Sequence, residues 1–319
     1  MLARITPSPL KGTVPAIASK SMAHRLIICA ALANGETHVA CNTTCADIEA
    51  TVRCLTALGA RIETVEDGFQ VHPTMKSVEF GLLKALAGGT LDCGESGSTL
   101  RFMLPVACAL GAEATFVGQG RLGARPLSPL SDEIIAAGCD LQGLGGFPLK
   151  TSGRMRPGTF VLPGNVSSQY ISGLLLAAPL LAQPSCVQVT GLIESRPYIN
   201  LTLQLMRDFG AQADWVSEEL HHRQPRRIHG YPFHRRKRLE RPPLNWYQMM
   251  AIEGIKNEKI KGGDRSSAKE SEDSTKEEAH TAEIELLGLF AHSYQGDSRG
   301  AEVFTRLGVH TEYTDRGVK

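Results

Sequence analysis

The chain has 319 residues, 42% of them hydrophobic, which is enough for two domains with a sizeable core. Lys and Arg number 34 against 33 Asp and Glu, a net charge of +1, so the bulk balance excludes a strongly basic nucleic-acid or membrane surface, and any anion site must be built locally. No stretch has the form of a secretory signal and no run approaches the ~18 apolar residues of a membrane span, so a cytoplasmic location is expected.

The first predicted helix opens at Ser19-Lys-Ser-Met-Ala-His-Arg25 and runs into the apolar body Leu26–Ala33. A second, amphipathic helix ends in Leu55-Thr-Ala-Leu-Gly-Ala60, where glycine fits a left-handed cap leading into a strand. The same pair recurs. Glu95-Ser-Gly-Ser-Thr-Leu-Arg101 leads into Phe102–Leu110, and Ile134-Ile-Ala-Ala-Gly-Cys139 ends the helix that follows. A third copy has Ser167-Ser-Gln169 leading into Tyr170–Leu181, then Leu205-Met-Arg-Asp-Phe-Gly-Ala211, with strands at Phe160–Leu162 and Cys186–Val189. The glycine-ended phrase returns a fourth time at Val303-Phe-Thr-Arg-Leu-Gly-Val309, which marks an internal repeat. The first helix of each early copy is apolar nearly all round and should be central. Cys29, Cys54, Cys108 and Cys186 lie in such apolar runs, where a reduced thiol acts as a small buried hydrophobe.

After Trp215 the pattern changes. His221–Arg241 is crowded with His, Arg and Pro and has neither helical nor strand periodicity, while Ile255–His280 is a Lys/Glu/Ser tract that reads as disordered. Order is expected again from Ala282-Glu-Ile-Glu-Leu-Leu-Gly-Leu289.

Helix starts carry bare N–H groups and partial positive charge, so hydroxyls and cations beside them suit an oxyanion. Ser19-Lys20-Ser21 with Arg25, Gly94–Ser98 with Arg101, and Ser167-Ser168-Gln169 supply three such ends. Any one serine is explained by ordinary helix capping. Three in one chain, two of them with cations, point to ligand binding, and Arg125-Pro126 and Ser195-Arg-Pro-Tyr198 follow in loops where arginine can clamp a phosphate or carboxylate. No Gly-Lys-Ser/Thr phosphate loop, dinucleotide fingerprint or Gly-x-Ser-x-Gly elbow is present. Cys41/Cys45 and His221/His222 find no second pair to complete a zinc spacing.

These segments, in this order, resemble the signatures of the EPSP synthase (3-phosphoshikimate 1-carboxyvinyltransferase) family. The resemblance is nearly continuous to about residue 215 and returns weakly at Gly288–Gly308, where Tyr294-Gln-Gly-Asp297 is similar to a family turn. It implies an α/β fold of repeated βαβαββ units around buried helices, the inside-out barrel of enolpyruvyl transferases. A domain of three units would span 14–217; an incomplete second domain would combine 1–13 with 218–319, irregular at 218–245 and disordered at 255–281. The implied reaction joins the enolpyruvyl group of phosphoenolpyruvate to the 5-hydroxyl of shikimate 3-phosphate and releases phosphate, in chorismate and aromatic amino-acid biosynthesis. No metal, organic cofactor, nucleic acid or membrane is implied, and a monomer is expected. Carried over residue by residue, Lys20 would touch both substrates; Ser21, Arg25, Ser167, Ser168, Gln169, Ser195 and Tyr198 would hold shikimate 3-phosphate; and Gly97, Arg125 and Gln169 would hold phosphoenolpyruvate. The family's Gly-Ser-Lys-Ser reads Ala18-Ser-Lys-Ser21 here.

The family's Asp-(Trp/Ala)-Ser segment, later Glu, Asp-His-Arg segment and C-terminal lysine have no match, so turnover is expected to be impaired. Arg236-Lys-Arg-Leu-Glu-Arg241, back-translated with permissible codons and read one nucleotide later, gives Glu-Asn-Asp-Trp-Ser-Ala, which is the missing acid segment. The original frame resumes at Trp246-Tyr-Gln-Met-Met250. Two other readings stand beside the transferase: a remnant that binds shikimate 3-phosphate without turnover, and a UDP-sugar enolpyruvyl transferase, which the paired Ser-Lys-Ser and Ser-Ser-Gln starts disfavour.

Overall fold

A computed structural model of the chain describes residues 12–15, 17–33, 35–73, 89–215, 226–230, 284–287, 305–306, 309–314 and 317–318. The chain divides into two units, one of Ala18–Trp246 and one of Met1–Ile17 with Tyr247–Lys319.

In the larger unit one pattern occurs three times. The middle copy is complete: β5 (Thr90–Asp92), α3 (Gly97–Leu110), β6 (Thr115–Val117), α4 (Leu130–Ala136), β7 (Cys139–Gln142) and β8 (Leu149–Gly153). Its sheet runs β5-β6-β8-β7, with β5 and β6 parallel and the other pairs antiparallel. The third copy consists of β9 (Thr159–Pro163), α5 (Ser168–Ala177), β10 (Ser185–Thr190), α6 (Arg196–Asp208), β11 (Ala213–Trp215) and β12 (Arg226–Gly230). Its strand order β9-β10-β12-β11, with β9 and β10 parallel, repeats the middle sheet. The first copy has α1 (Lys20–Leu32), β2 (Thr37–Ala40), α2 (Ala46–Ala57), β3 (Arg61–Val65) and β4 (Gly68–His72), with the sheet β2-β4-β3. The repeated βαβαββ architecture read from the sequence is therefore present. In the smaller unit β1 (Gly12–Pro15) lies parallel to β13 (Ile284–Leu287), which pairs antiparallel with β14 (Gly317–Val318).

The first helix of each copy is nearly all buried: α1 from Met22 to Leu32, α3 at every position but Ser98 and Arg101, and α5 from Tyr170 to Ala177. With apolar residues on every side, burial from all directions is their most stable arrangement, each large side chain contributing about 1.5–3 kcal/mol. Strands such as β7 and β9 alternate buried and exposed positions, one face against the helices and the other outward. The predicted glycine caps are seen at Gly59, Gly138 and Gly210, all at positive φ between 87° and 99°. In the fourth phrase, Thr305-Arg306 are helical and Gly308 lies outside the described residues, as does the tract 255–281.

Two expectations are corrected. The third buried helix stops at Ala177 and continues only as the 3₁₀ turn Ala178–Leu180, because Pro179 has no N–H for another α-helical bond. Residues 226–230, inside the stretch expected to be irregular and beyond the boundary expected at 217, form strand β12. It is inserted between β10 and β11, with Val187 and Trp215 both opposite Ile228. Two open strand edges supply the ladder, and pairing overrides the lack of alternation in the sequence.

Candidate functional site

The functional side chains sit at the starts of α1, α3, α5 and α6, where backbone N–H groups have no helical partner. Ser19, Ser96 and Ser167 are true caps: their hydroxyls accept from the N–H groups of Met22, Thr99 and Gln169. The capping explanation thus holds for these three serines and leaves the residues that follow them to be accounted for.

The α3 and α5 starts meet. Gln169 accepts at Oε1 from Arg101 Nη1 (2.7 Å) and donates from Nε2 to Ser98 Oγ (2.8 Å), so its amide bridges both helix ends. Arg125 comes in from its loop over the α3 start: a Cβ placed on Gly97 would stand 2.8 Å from Arg125 Nη1 and 3.8 Å from Arg101 Nη1. Gly97 is bare because the guanidinium occupies the space of a side chain. Tyr170 supports the cluster, its ring under Arg101 and its hydroxyl donating to the Pro126 carbonyl (2.6 Å). Gly97, Arg125 and Gln169, expected to act on one ligand, are therefore brought together. Arg101 and Ser98 join them without having been assigned a ligand from the sequence, although both are in the motif that opens the helix.

A second cluster is built on Arg25, whose side chain is 2% exposed. Its Nε donates to Thr202 Oγ1 (2.7 Å), Nη1 to the Ser21 carbonyl (2.6 Å) and Nη2 to Ser172 Oγ (3.1 Å), and the guanidinium lies 4.8 Å above the Phe102 ring. These contacts tie α1, α3, α5 and α6 together. Burial lowers the Arg25 pKa to about 10, with Cys29 and Tyr198 acting in the other direction. Tyr198 lies in the first turn of α6 and its carbonyl accepts from Thr202 Oγ1. Ser168 is the first residue of α5, and Ser195, at the α6 cap, makes no side-chain capping bond. Thr202 and Ser172 were not found in the sequence; they lie well inside their helices, where hydroxyls give no motif signal.

The third cluster joins α1 to α3 through α2. Lys20 Nζ is 2.7 Å from Asp47 Oδ2, with the Lys20 side chain 51% exposed. Partial burial works against the ionised Asp47, but the hydrogen bond and charge of Lys20 hold the carboxyl below the usual carboxylate range. Thr99 Oγ1, on the first turn of α3, lies 3.1 Å from the Asp47 carbonyl, so Lys20 is linked through residue Asp47 to the α3 start beside Gly97. Asp47 was missed; its only signal is its place in the first turn of α2, where an acid suits the helix dipole.

Among the described residues, neither Arg25, Arg101 nor Arg125 forms an ion pair with a carboxylate. Three guanidiniums thus lie at or beside helix starts without a carboxylate partner among the described residues. Fold and site together define an α/β protein of repeated units whose helix starts gather hydroxyls and guanidiniums.

Comparison with known proteins makes this specific. The family model described as EPSP synthase (3-phosphoshikimate 1-carboxyvinyltransferase) matches residues 5–228. The 3-phosphoshikimate 1-carboxyvinyltransferase of Bacteroides fragilis (strain ATCC 25285) is 35% identical over 317 residues, covering 98% of this chain and 64% of that protein. Its counterpart in Clostridium beijerinckii is 40% identical over 210 residues, covering 66% of this chain and 48% of that protein. A solved EPSP synthase from Acinetobacter baumannii shares the fold with a TM-score of 0.55 at 24% identity, over 70% of this chain and 47% of that one. The chain belongs to the EPSP synthase family, and it spans between about half and two thirds of the length of these relatives. Among the described residues no helix is long and apolar enough to cross a membrane.

Proposed function

We propose that this chain serves enolpyruvyl transfer from phosphoenolpyruvate to shikimate 3-phosphate, and that its larger unit carries the binding half of that chemistry. The observation that carries the proposal is Arg25, a cation almost wholly buried with no carboxylate partner among the described residues. A buried charge without a counter-charge is costly, and an anionic ligand offsets that cost.

On this reading Ser21, Arg25, Ser167, Ser168, Gln169, Ser195 and Tyr198 hold shikimate 3-phosphate across the α1, α5 and α6 starts. Gly97, Arg125 and Gln169, with Arg101, receive the phosphate and carboxylate of phosphoenolpyruvate, and Lys20 contacts both substrates. Asp47 holds the Lys20 side chain through its 2.7 Å ion pair until substrate arrives. The protein acts as a cytoplasmic monomer without a cofactor, its binding half carried by the unit Ala18–Trp246.

The unmatched acid segment favours impaired turnover, down to a chain that only binds. Calorimetry with shikimate 3-phosphate, followed by an assay for phosphate released on adding phosphoenolpyruvate, tests the proposal. Binding with release that is lost in Lys20→Ala establishes the transferase, whereas binding without release establishes the non-catalytic form. No heat of binding at millimolar ligand refutes both.

A further inference from the structure

His24 is fully buried on α1, its ring edge-on to Phe102, and no ligand role has been assigned to it. Its Nδ1 is 2.7 Å from Thr51 Oγ1 on α2; Thr51 Oγ1 is 2.8 Å from Thr99 Oγ1 on α3; and Thr99 Oγ1 is 3.1 Å from the Asp47 carbonyl and 2.8 Å from Ser96 Oγ. His24 Nε2 is buried without a hydrogen-bond partner.

The protons on this chain can be counted. Thr99 Oγ1 donates to the Asp47 carbonyl or to Ser96 Oγ, and on either course its single hydroxyl proton is spent away from Thr51. Thr99 must then accept from Thr51, and Thr51, its one proton spent, must accept from His24. Nδ1 therefore carries the imidazole proton, and the unpartnered Nε2 is a bare lone pair. That is the cheaper orphan, since buried acceptors go unsatisfied more often than buried N–H groups. Burial further favours the neutral ring, while Asp47 opposes this and Arg25 and Lys20 reinforce it.

We propose that His24 is a positioning residue: as the neutral Nδ1–H tautomer it heads a one-way hydroxyl relay through Thr51 and Thr99. The relay locks α2 and the first turn of α3 onto α1, and so holds Asp47, through its carbonyl, in place beside Lys20. The relay itself follows from the hydrogen bonds; its consequence for ligand affinity rests on the function proposed above.

Two measurements on the full chain separate these layers. Long-range ¹H–¹⁵N NMR of the histidine side chains, with His24 assigned by its loss in His24→Asn, should show a protonated Nδ1 and an unprotonated Nε2 at pH 7. Thr51→Val, nearly isosteric and without the acceptor, should abolish that pattern. An Nε2–H tautomer in the unaltered protein overturns the relay whether or not the chain binds any ligand. In calorimetry with shikimate 3-phosphate, Thr99→Val should weaken binding about tenfold, and Thr99→Ser, which keeps the hydroxyl, should restore it. Equal affinities in a protein that binds would show a relay with no positioning role and overturn the proposal. If the unaltered protein binds nothing, the function proposed above fails, and the tautomer alone decides the relay.

Discussion

Gly173→Ala tests whether the α3–α5 contact holds the cluster of Arg101, Arg125 and Gln169, proposed above for phosphoenolpyruvate, together. A Cβ at position 173 would stand 2.3 Å from the Arg101 carbonyl oxygen and 3.0 Å from Pro105 Cγ. Pro105 has no N–H to give to that carbonyl, four residues earlier in the helix, so α3 presents an unused backbone oxygen to the bare face of α5. The obstacle is backbone, which no side-chain rotation relieves, so relief requires the helices to part by about 1 Å to restore ordinary contact. Overpacking of this kind costs about 1–3 kcal/mol, and the upper end applies because the clash is with backbone; better helix propensity of Ala returns about 1. A net loss near 2 kcal/mol should lower the melting temperature by about 4–8 °C for a unit of this size. The same separation stretches the Gln169 bonds to Arg101 and Ser98, one helical turn away, so phosphoenolpyruvate affinity should fall as well. Differential scanning calorimetry and ligand titration check both parts, and a variant melting within a degree of the unaltered protein would refute the packing argument.

Gly97→Ala should do the reverse: its Cβ meets the mobile end of Arg125, 2.8 Å away, so stability should change by less than about 1 kcal/mol while phosphoenolpyruvate binding weakens, a split read by the same two assays. Folding depresses the His24 pKa from 6.5 to about 4, through burial first of all. Between these values the unfolded chain binds the extra proton, so stability should fall by on the order of 3 kcal/mol as pH drops from 6.5 to 4, and urea titrations of His24→Asn should lack that component. Burial pushes the Cys29 thiol up to about 12, so native Cys29 should resist alkylation at pH 8, when its thiolate is roughly a thousandfold scarcer than that of an ordinary thiol. Rapid labelling of Cys29, followed by mass spectrometry, would contradict its place in the core.

What was legible in the sequence was whatever repeats or has a short-range cause. The three glycine caps and the apolar bodies of α1, α3 and α5 are local patterns with local reasons, and so are the serines that cap those helices. Asp47, Ser172 and Thr202 were invisible because their roles arise only when helices far apart in sequence are packed: Arg25 reaches Ser172 and Thr202 across 147 and 177 residues. Strand β12 was missed for the converse reason, since its backbone answers to the edges of β10 and β11 and its own composition carries no strand signal.

The three copies also show how a repeated backbone yields an asymmetric site. Each contributes the same device, a capped helix start with free N–H groups, yet the first helical residue is Lys20 in one, Gly97 in the next and Ser168 in the third. In the first copy the cation is carried by the helix itself. In the second the cation comes from the loop at Arg125, and only a residue without a side chain leaves it room. In the third there is no cation, and Gln169 instead links its start to Arg101 of the second. Positive charge thus gathers on the α1 and α3 starts, while the α5 start offers hydroxyls and an amide. Such a division suits the two ligands proposed above, one rich in anionic oxygens beside another with hydroxyls to be recognised; exchanging the first residues of α1 and α3 should abolish binding of both in calorimetry while circular dichroism shows the three sheets intact.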